Sequence, residues 1–143
     1  MSQAPRTYLA FDYGSKRIGV AVGQDITASA RALTTLKTRD HTPPWQAIES
    51  LVQTWQPQAF VVGLPYNSDG SEHPVTKAAR RFGNQLQGRF QRPVYWVDER
   101  LTSREAESIL AQHGGRSAKR DIDKLAAQLI LQSWFEQNTG KRL

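Results

Sequence analysis

The chain has 143 residues, 19 Lys/Arg against 13 Asp/Glu, no cysteine and a pI near 10. This length suits one domain, residues 1–143, and the lack of cysteine excludes disulfides, thiolate metal sites and a Cys nucleophile, so any metal would rest on oxygen or imidazole. No apolar run approaches the roughly 18 residues of a membrane span and no hydrophobic signal core precedes the first strand, so a cytoplasmic protein without membrane association is expected.

Tyr8 to Phe11 and Ile18 to Val22 are short apolar runs separated by YGSKR, whose Gly and Ser suit a tight turn, so a hairpin is predicted. A third strand over Thr27 to Leu36 extends the meander. Trp45, Ile48, Leu51, Val52 and Trp55 then recur at helical spacing between Pro43-Pro44 and Pro57, which predicts an amphipathic helix and gives both tryptophans to the core. AFVVG, residues 59–63, is too short for a buried helix and suits a central strand covered on both faces. After the loop LPYNSDGSEHP, the residues Val75, Ala78, Ala79, Phe82, Leu86 and Phe90 mark a second helix, and PVYWV at 93–97 a last strand. Thr102 and Glu105 have capping-box spacing and open a third helix toward Gly114-Gly115. A fourth helix covers roughly 119–137, with Ile122, Leu125, Ala126, Leu129 and Ile130 on its inner face.

This order predicts an α/β fold: a five-stranded mixed sheet, made of a three-stranded antiparallel meander and two parallel strands, flanked by helices. Sites in such sheets form beyond the carboxyl ends of the parallel strands. Asp12 stands at that end of the first strand and Asp98-Glu99 at that end of the fifth, while Asp123 lies in the first turns of the last helix. Taken singly, each acid has a plainer role: Asp12 as an acceptor for turn N–H groups, Asp98 and Glu99 as surface partners of Arg100 and Arg104, Asp123 as a charge near a helix N-terminus. Brought together, Asp12, Glu99 and Asp123 would repel one another unless a divalent cation lay between them, and Mg²⁺ prefers such hard oxygen ligands. Two such ions can assist phosphodiester hydrolysis.

The charge is uneven. Residues 1–76 carry six Lys/Arg and six Asp/Glu, residues 77–124 carry eleven and six, and the remainder two and one. An excess of cations in the second half suits a polyanionic partner, because each phosphate neutralised releases condensed counterions. His41, His73 and His113 have no partner at ligand spacing and are assigned to loops and helix ends; Tyr13 and Tyr66 are the better candidates for stacking on a base.

FDYGSKRIGVAVG, VVGLP with the following NSDGS, VDERLTS and IDKLAAQLIL resemble, in order and spacing, the motifs of the YqgF (RuvX) family of pre-16S ribosomal RNA nucleases and resolvases. The resemblance runs from about Leu9 to Phe135. It implies a ribonuclease H-like fold and a metal-dependent endonuclease trimming the 5′ end of precursor 16S ribosomal RNA, with Mg²⁺ or Mn²⁺ as cofactor. It implies Asp12, Glu99 and Asp123 as metal ligands, with Asp98 beside them in the DER motif. Alternation sends Asp98 and Glu99 to opposite sides of the strand, and Glu99, nearer the carboxyl end, is the expected ligand. Lys16, Arg17 and Arg100 are expected near the acids as phosphate contacts, with Lys119, Arg120 and Lys124 extending that surface. Structured RNA, on or off the ribosome, is the expected partner, and the chain would act as a monomer or homodimer. Competing expectations are a dimeric resolvase of four-way DNA, a nucleotide-binding domain of the actin and sugar-kinase type, which would need a second domain, and a non-catalytic RNA-binding assembly factor.

Overall fold

A computed structural model of the chain describes residues 6–40, 42–99 and 119–139. The elements run β1 (Thr7–Tyr13), β2 (Arg17–Gln24), β3 (Ser29–Lys37), α1 (Trp45–Trp55), β4 (Ala59–Leu64), α2 (Pro74–Phe90), β5 (Val94–Asp98) and α3 (Lys119–Thr139). The five strands form one sheet in the order β3-β2-β1-β4-β5. The pairs β1–β2 and β2–β3 are antiparallel, and β1–β4 and β4–β5 parallel, as the element order predicts. The helix expected from Thr102 toward Gly114-Gly115 lies outside the described residues, as do His41, Arg100 and His113.

Element ends differ from the sequence expectation for local reasons. β3 starts at Ser29 rather than Thr27 because the preceding turn consumes two residues: the Thr27 hydroxyl donates to the Gln24 carbonyl, and Ala28 takes a left-handed φ of 49° as its N–H bonds to Asp25. β5 starts at Val94, since Pro93 has no N–H to give the ladder, although its carbonyl accepts from Phe60. α1 closes on Gln56 in the left-handed region, whose N–H returns to the Val52 carbonyl.

Strand alternation divides the core into two layers. Leu9, Phe11, Ile18, Val20 and Val22 face Ile48 and Val52 of α1 and Phe82 and Leu86 of α2. Tyr8, Ala10, Ala21, Val61 and Val97 face Ala127, Ile130, Leu131 and Phe135 of α3. The second layer is thin where β2 crosses it, because β2 presents Gly19, Ala21 and Gly23 to α3 while its valines point the other way. A Cβ on Gly23 would stand 2.9 Å from the Phe135 ring and 3.0 Å from Leu131, so the missing side chain is what lets α3 lie close to the sheet. Ile122, predicted on the inner face of this helix, is instead 38% exposed, because it precedes the point where α3 first touches β2.

Candidate active site

The same alternation decides which acids meet. Tyr8 and Ala10 face α3, so Asp12, two residues on, faces α3 as well. Val97 faces α3, so Glu99 does too, while Asp98 pairs in register with Leu64 and belongs to the opposite side. Asp12 and Glu99 are joined by a side-chain hydrogen bond, and Asp123 of α3 lies within electrostatic reach of Asp12.

Glycines on the strands flanking β1 make room for two of these acids. Gly19 is the register partner of Asp12 on β2, and a Cβ there would run into the Asp123 carbonyl and stand 2.8 Å from the Lys124 nitrogen. Backbone cannot give way as a side-chain tip can, so Gly19 sets how near the start of α3 comes to Asp12. On β4, a Cβ on Gly63 would stand 2.7 Å from Cγ of Glu99 and 2.5 Å from Cδ1 of Ile130. Gly63 thus holds open the space into which the Glu99 side chain folds. Neither glycine was singled out from the sequence; the available signal was a glycine inside a strand, which marks a bulge or a close approach. Gly14, by contrast, tightens the hairpin, where a Cβ would stand 2.7 Å from the Arg17 carbonyl.

Asp12 and Glu99 are half-buried residues whose carboxyl groups are surrounded by enough protein to desolvate the charge. Burial holds Asp12 well above the usual carboxylate range, and the hydrogen bond and negative charge of Glu99 push the same way, with Asp123 adding to it. Burial also raises Glu99, and the charge of Asp98 adds to that. Burial thus raises the proton affinity of both groups, while their hydrogen bond raises that of Asp12 and lowers that of Glu99.

The cations take different places. Arg17 donates Nε to Oδ2 of Asp123 at 2.8 Å, an ion pair with a third of the arginine side chain exposed. This expected phosphate contact is therefore occupied by an acid. Lys16 is exposed in the hairpin turn, and Lys124 is half-buried on α3. Lys119 and Arg120 open α3, but their side chains, like Arg100, lie outside what the structure describes. Tyr13 packs on Phe82 with ring centroids 5.2 Å apart, and the hydroxyl of Tyr66 accepts from Arg80. His73 caps α2, its Nδ1 accepting from the Val75 N–H.

The donor set fits a hard divalent cation. Two carboxylates in hydrogen-bond contact are stable only with positive charge between them, which a proton or a metal ion supplies. Among the described residues no three His, Cys, Asp or Glu already form an ion cage. Asp12 and Glu99 would be the first two ligands, and Asp123 a third only after parting from Arg17.

The chain matches the RuvX family, described as Holliday junction resolvase, over residues 6–137. A relative from Yersinia pestis (strain Pestoides F) is 51% identical over 139 residues, covering 96% of this chain and 99% of its own, and is named "Putative pre-16S rRNA nuclease". One from Yersinia pseudotuberculosis serotype IB (strain PB1/+), 50% identical with the same coverage, bears the same name. Among solved structures, the yeast mitochondrial Holliday junction resolvase superposes with a TM-score of 0.60 at 12% identity, covering 94% of this chain and 80% of that one. Thermus thermophilus RuvC in complex with a Holliday junction substrate gives 0.56 at 16% identity, covering 94% and 96%. At such identities the likeness is one of fold.

Proposed function

The chain belongs to the RuvX family and is a nuclease; from that premise we propose that it is a divalent-metal-dependent endonuclease acting on precursor 16S ribosomal RNA in the cytoplasm. The observation that carries the metal dependence is the hydrogen-bonded Asp12–Glu99 pair beside Asp123 at the carboxyl end of β1 and β5. The RNA substrate rests on the names of relatives half identical over nearly the whole chain.

Each group has a definite task. Asp12 and Glu99, once deprotonated, would hold Mg²⁺ or Mn²⁺, and a bound ion would polarise the scissile phosphate and make attacking water more acidic. Arg17 orients Asp123 through Oδ2, and a phosphate oxygen of the substrate would compete with that carboxylate for the guanidinium. Asp98, on the far side of the strand, keeps its negative charge near Glu99 and so favours cation binding. Lys16 and Lys124, with Arg100, Lys119 and Arg120, supply positive charge for the backbone.

The test is cleavage of precursor 16S RNA by purified protein with Mg²⁺ or Mn²⁺. Chelation should abolish it, and Asp12→Asn and Glu99→Gln should each lower kcat by about 10²-fold or more, the worth of several kcal/mol of lost metal stabilisation. Cleavage by Asp12→Asn at the wild-type rate would remove Asp12 from the site. The description of the family and the resolvase fold favour a second reading, symmetric cutting of four-way DNA by a dimer. Both substrates assayed side by side separate the two.

A further inference from the structure

Five cations between Lys77 and Arg92 have no part in the site described above. α2 carries Lys77, Arg80, Arg81 and Arg89 without one Asp or Glu, and Arg92 follows it. Like charges on neighbouring turns repel, so an all-basic helix is favoured only where water or an anion answers it. Arg80 is committed locally, to Glu72 at 2.5 Å and to Tyr66. Among the described residues the other four have no carboxylate partner.

Three of these cations, Arg81, Arg89 and Arg92, border one groove between α1 and α2. Arg81, Gln85 and Arg89, four residues apart and so on one helix face, form one wall, with Tyr13, Pro43 and Trp45 opposite. Past Trp45 and Arg89 the groove continues to Arg92, with Glu49 the one acid along it. Lys77 and Asn84 border an adjoining hollow that shares Arg81 and Gln85. Trp45, expected in the core from its spacing, stands half-buried at the rim. One side of its ring stacks on Phe82 at 5.6 Å between centroids and 21° between planes, and the Arg89 guanidinium lies 4.2 Å from the ring centroid. An aromatic plane with a cation on it, in a basic cleft, has the chemistry that holds single-stranded nucleic acid: phosphates on the arginines, a base against the ring.

The groove lies on the sheet face opposite to the one Asp12 and Glu99 point to, and it leads away from the sheet end that carries them. α2 follows β4 at the sheet end that carries Asp12, and Tyr13 is the next residue after Asp12. From Ala78 to Arg89 the helix advances about 16 Å at 1.5 Å per residue, room for a few nucleotides beyond the reacting phosphate.

We propose that the α1–α2 groove binds the single-stranded RNA flank of the substrate, with phosphates on Arg81, Arg89 and Arg92, Lys77 adding charge from the adjoining hollow, and a base taking the face of Trp45 that Arg89 covers in the free protein. The proposal rests on the nuclease reading of the Asp12–Glu99 site, and its test is one of binding, so the two fail separately. Labelled RNA oligonucleotides of about 4 and about 12 nucleotides, within the span of such grooves, are titrated by fluorescence anisotropy into the full-length Asp12→Asn protein. The same titration is made with Asp12→Asn carrying Arg81→Ala and Arg89→Ala. The longer RNA should bind the parent more tightly than the shorter, and the added substitutions should weaken the longer RNA by about tenfold or more and erase the gain with length. The slope of log K against log salt should become shallower by about 1.4, two phosphates at about 0.7 each for a single strand. Adding Trp45→Leu instead should cut affinity without changing that slope, and matching thermal melts by circular dichroism show that each variant is folded. An undiminished length gain in the arginine variant overturns the proposal. An equal arginine dependence for a blunt duplex overturns the single-strand assignment, and a larger length gain for DNA than for RNA overturns the choice of RNA. If wild-type protein cuts no RNA while the arginine dependence holds, the endonuclease reading falls and the groove stands.

Discussion

The sheet brings the carboxyl groups of Asp12 and Glu99 together in surroundings that desolvate both. Folding therefore raises both proton affinities above those of the unfolded chain, near 3.9 for Asp and 4.3 for Glu. Between those values and the raised native ones, the native state binds more protons than the unfolded state, so stability is greatest below the window and falls as pH rises through it. With chelator present, the Tm of the wild type should accordingly drop more between pH 5 and pH 8 than that of Asp12→Asn, which removes one of the two titrating groups while keeping the shape. Parallel pH profiles for the two proteins would show that the pair is not coupled. Saturating Mg²⁺ should raise the wild-type Tm at pH 8 far more than that of Asp12→Asn, because a ligand stabilises only the state that binds it. At this scale the sequence exposed the acids but not their pairing. Asp12 is conspicuous as a charge ending an apolar run, whereas the choice of Glu99 over Asp98 depends on strand parity, set by Val97 facing α3.

Among the elements, β2 does most to place the site. Its valines fill one layer, and its small residues, Gly19, Ala21 and Gly23, admit α3 on the other. Gly19→Ala should destabilise the protein by about 1–3 kcal/mol, as overpacking of an ordered interior does, and should lower nuclease activity beyond that by moving Asp123 off Asp12. Urea denaturation alongside single-turnover cleavage tests both, and a variant of normal stability and activity would show that α3 has slack against the sheet. Gly63→Ala should act on Glu99 in the same way, with Ile130 giving ground first, so its stability loss should be the smaller. The hydrophobic period of both strands was legible in the sequence. The glycines were not, because a glycine within a strand looks alike whether it marks a bulge, a bend or a neighbour's backbone.

For the whole molecule, α3 covers one face of the sheet and α1 with α2 the other, and the acids stand at the carboxyl end of the parallel strands. Phe135 anchors the far end of α3 against Tyr8 of β1, and Phe135→Ala should cost about 3–5 kcal/mol in chemical denaturation. A loss under 1 kcal/mol would mean that α3 is held chiefly at its Gly19 end. The net charge of +6 predicts that cleavage at subsaturating RNA falls steeply between about 50 and 200 mM salt. The order of the described strands and helices and the sheet class followed from the sequence alone, because apolar periodicity and turn residues are local properties and because chain connectivity permits few ways to pair the resulting strands. Tertiary structure alone decided that Asp12 meets Glu99, that Arg17 is taken by Asp123, and that Trp45 stands at the rim of a basic groove. Those contacts join residues as far as 106 positions apart, and their geometry depends on how closely two layers pack, which no local pattern encodes.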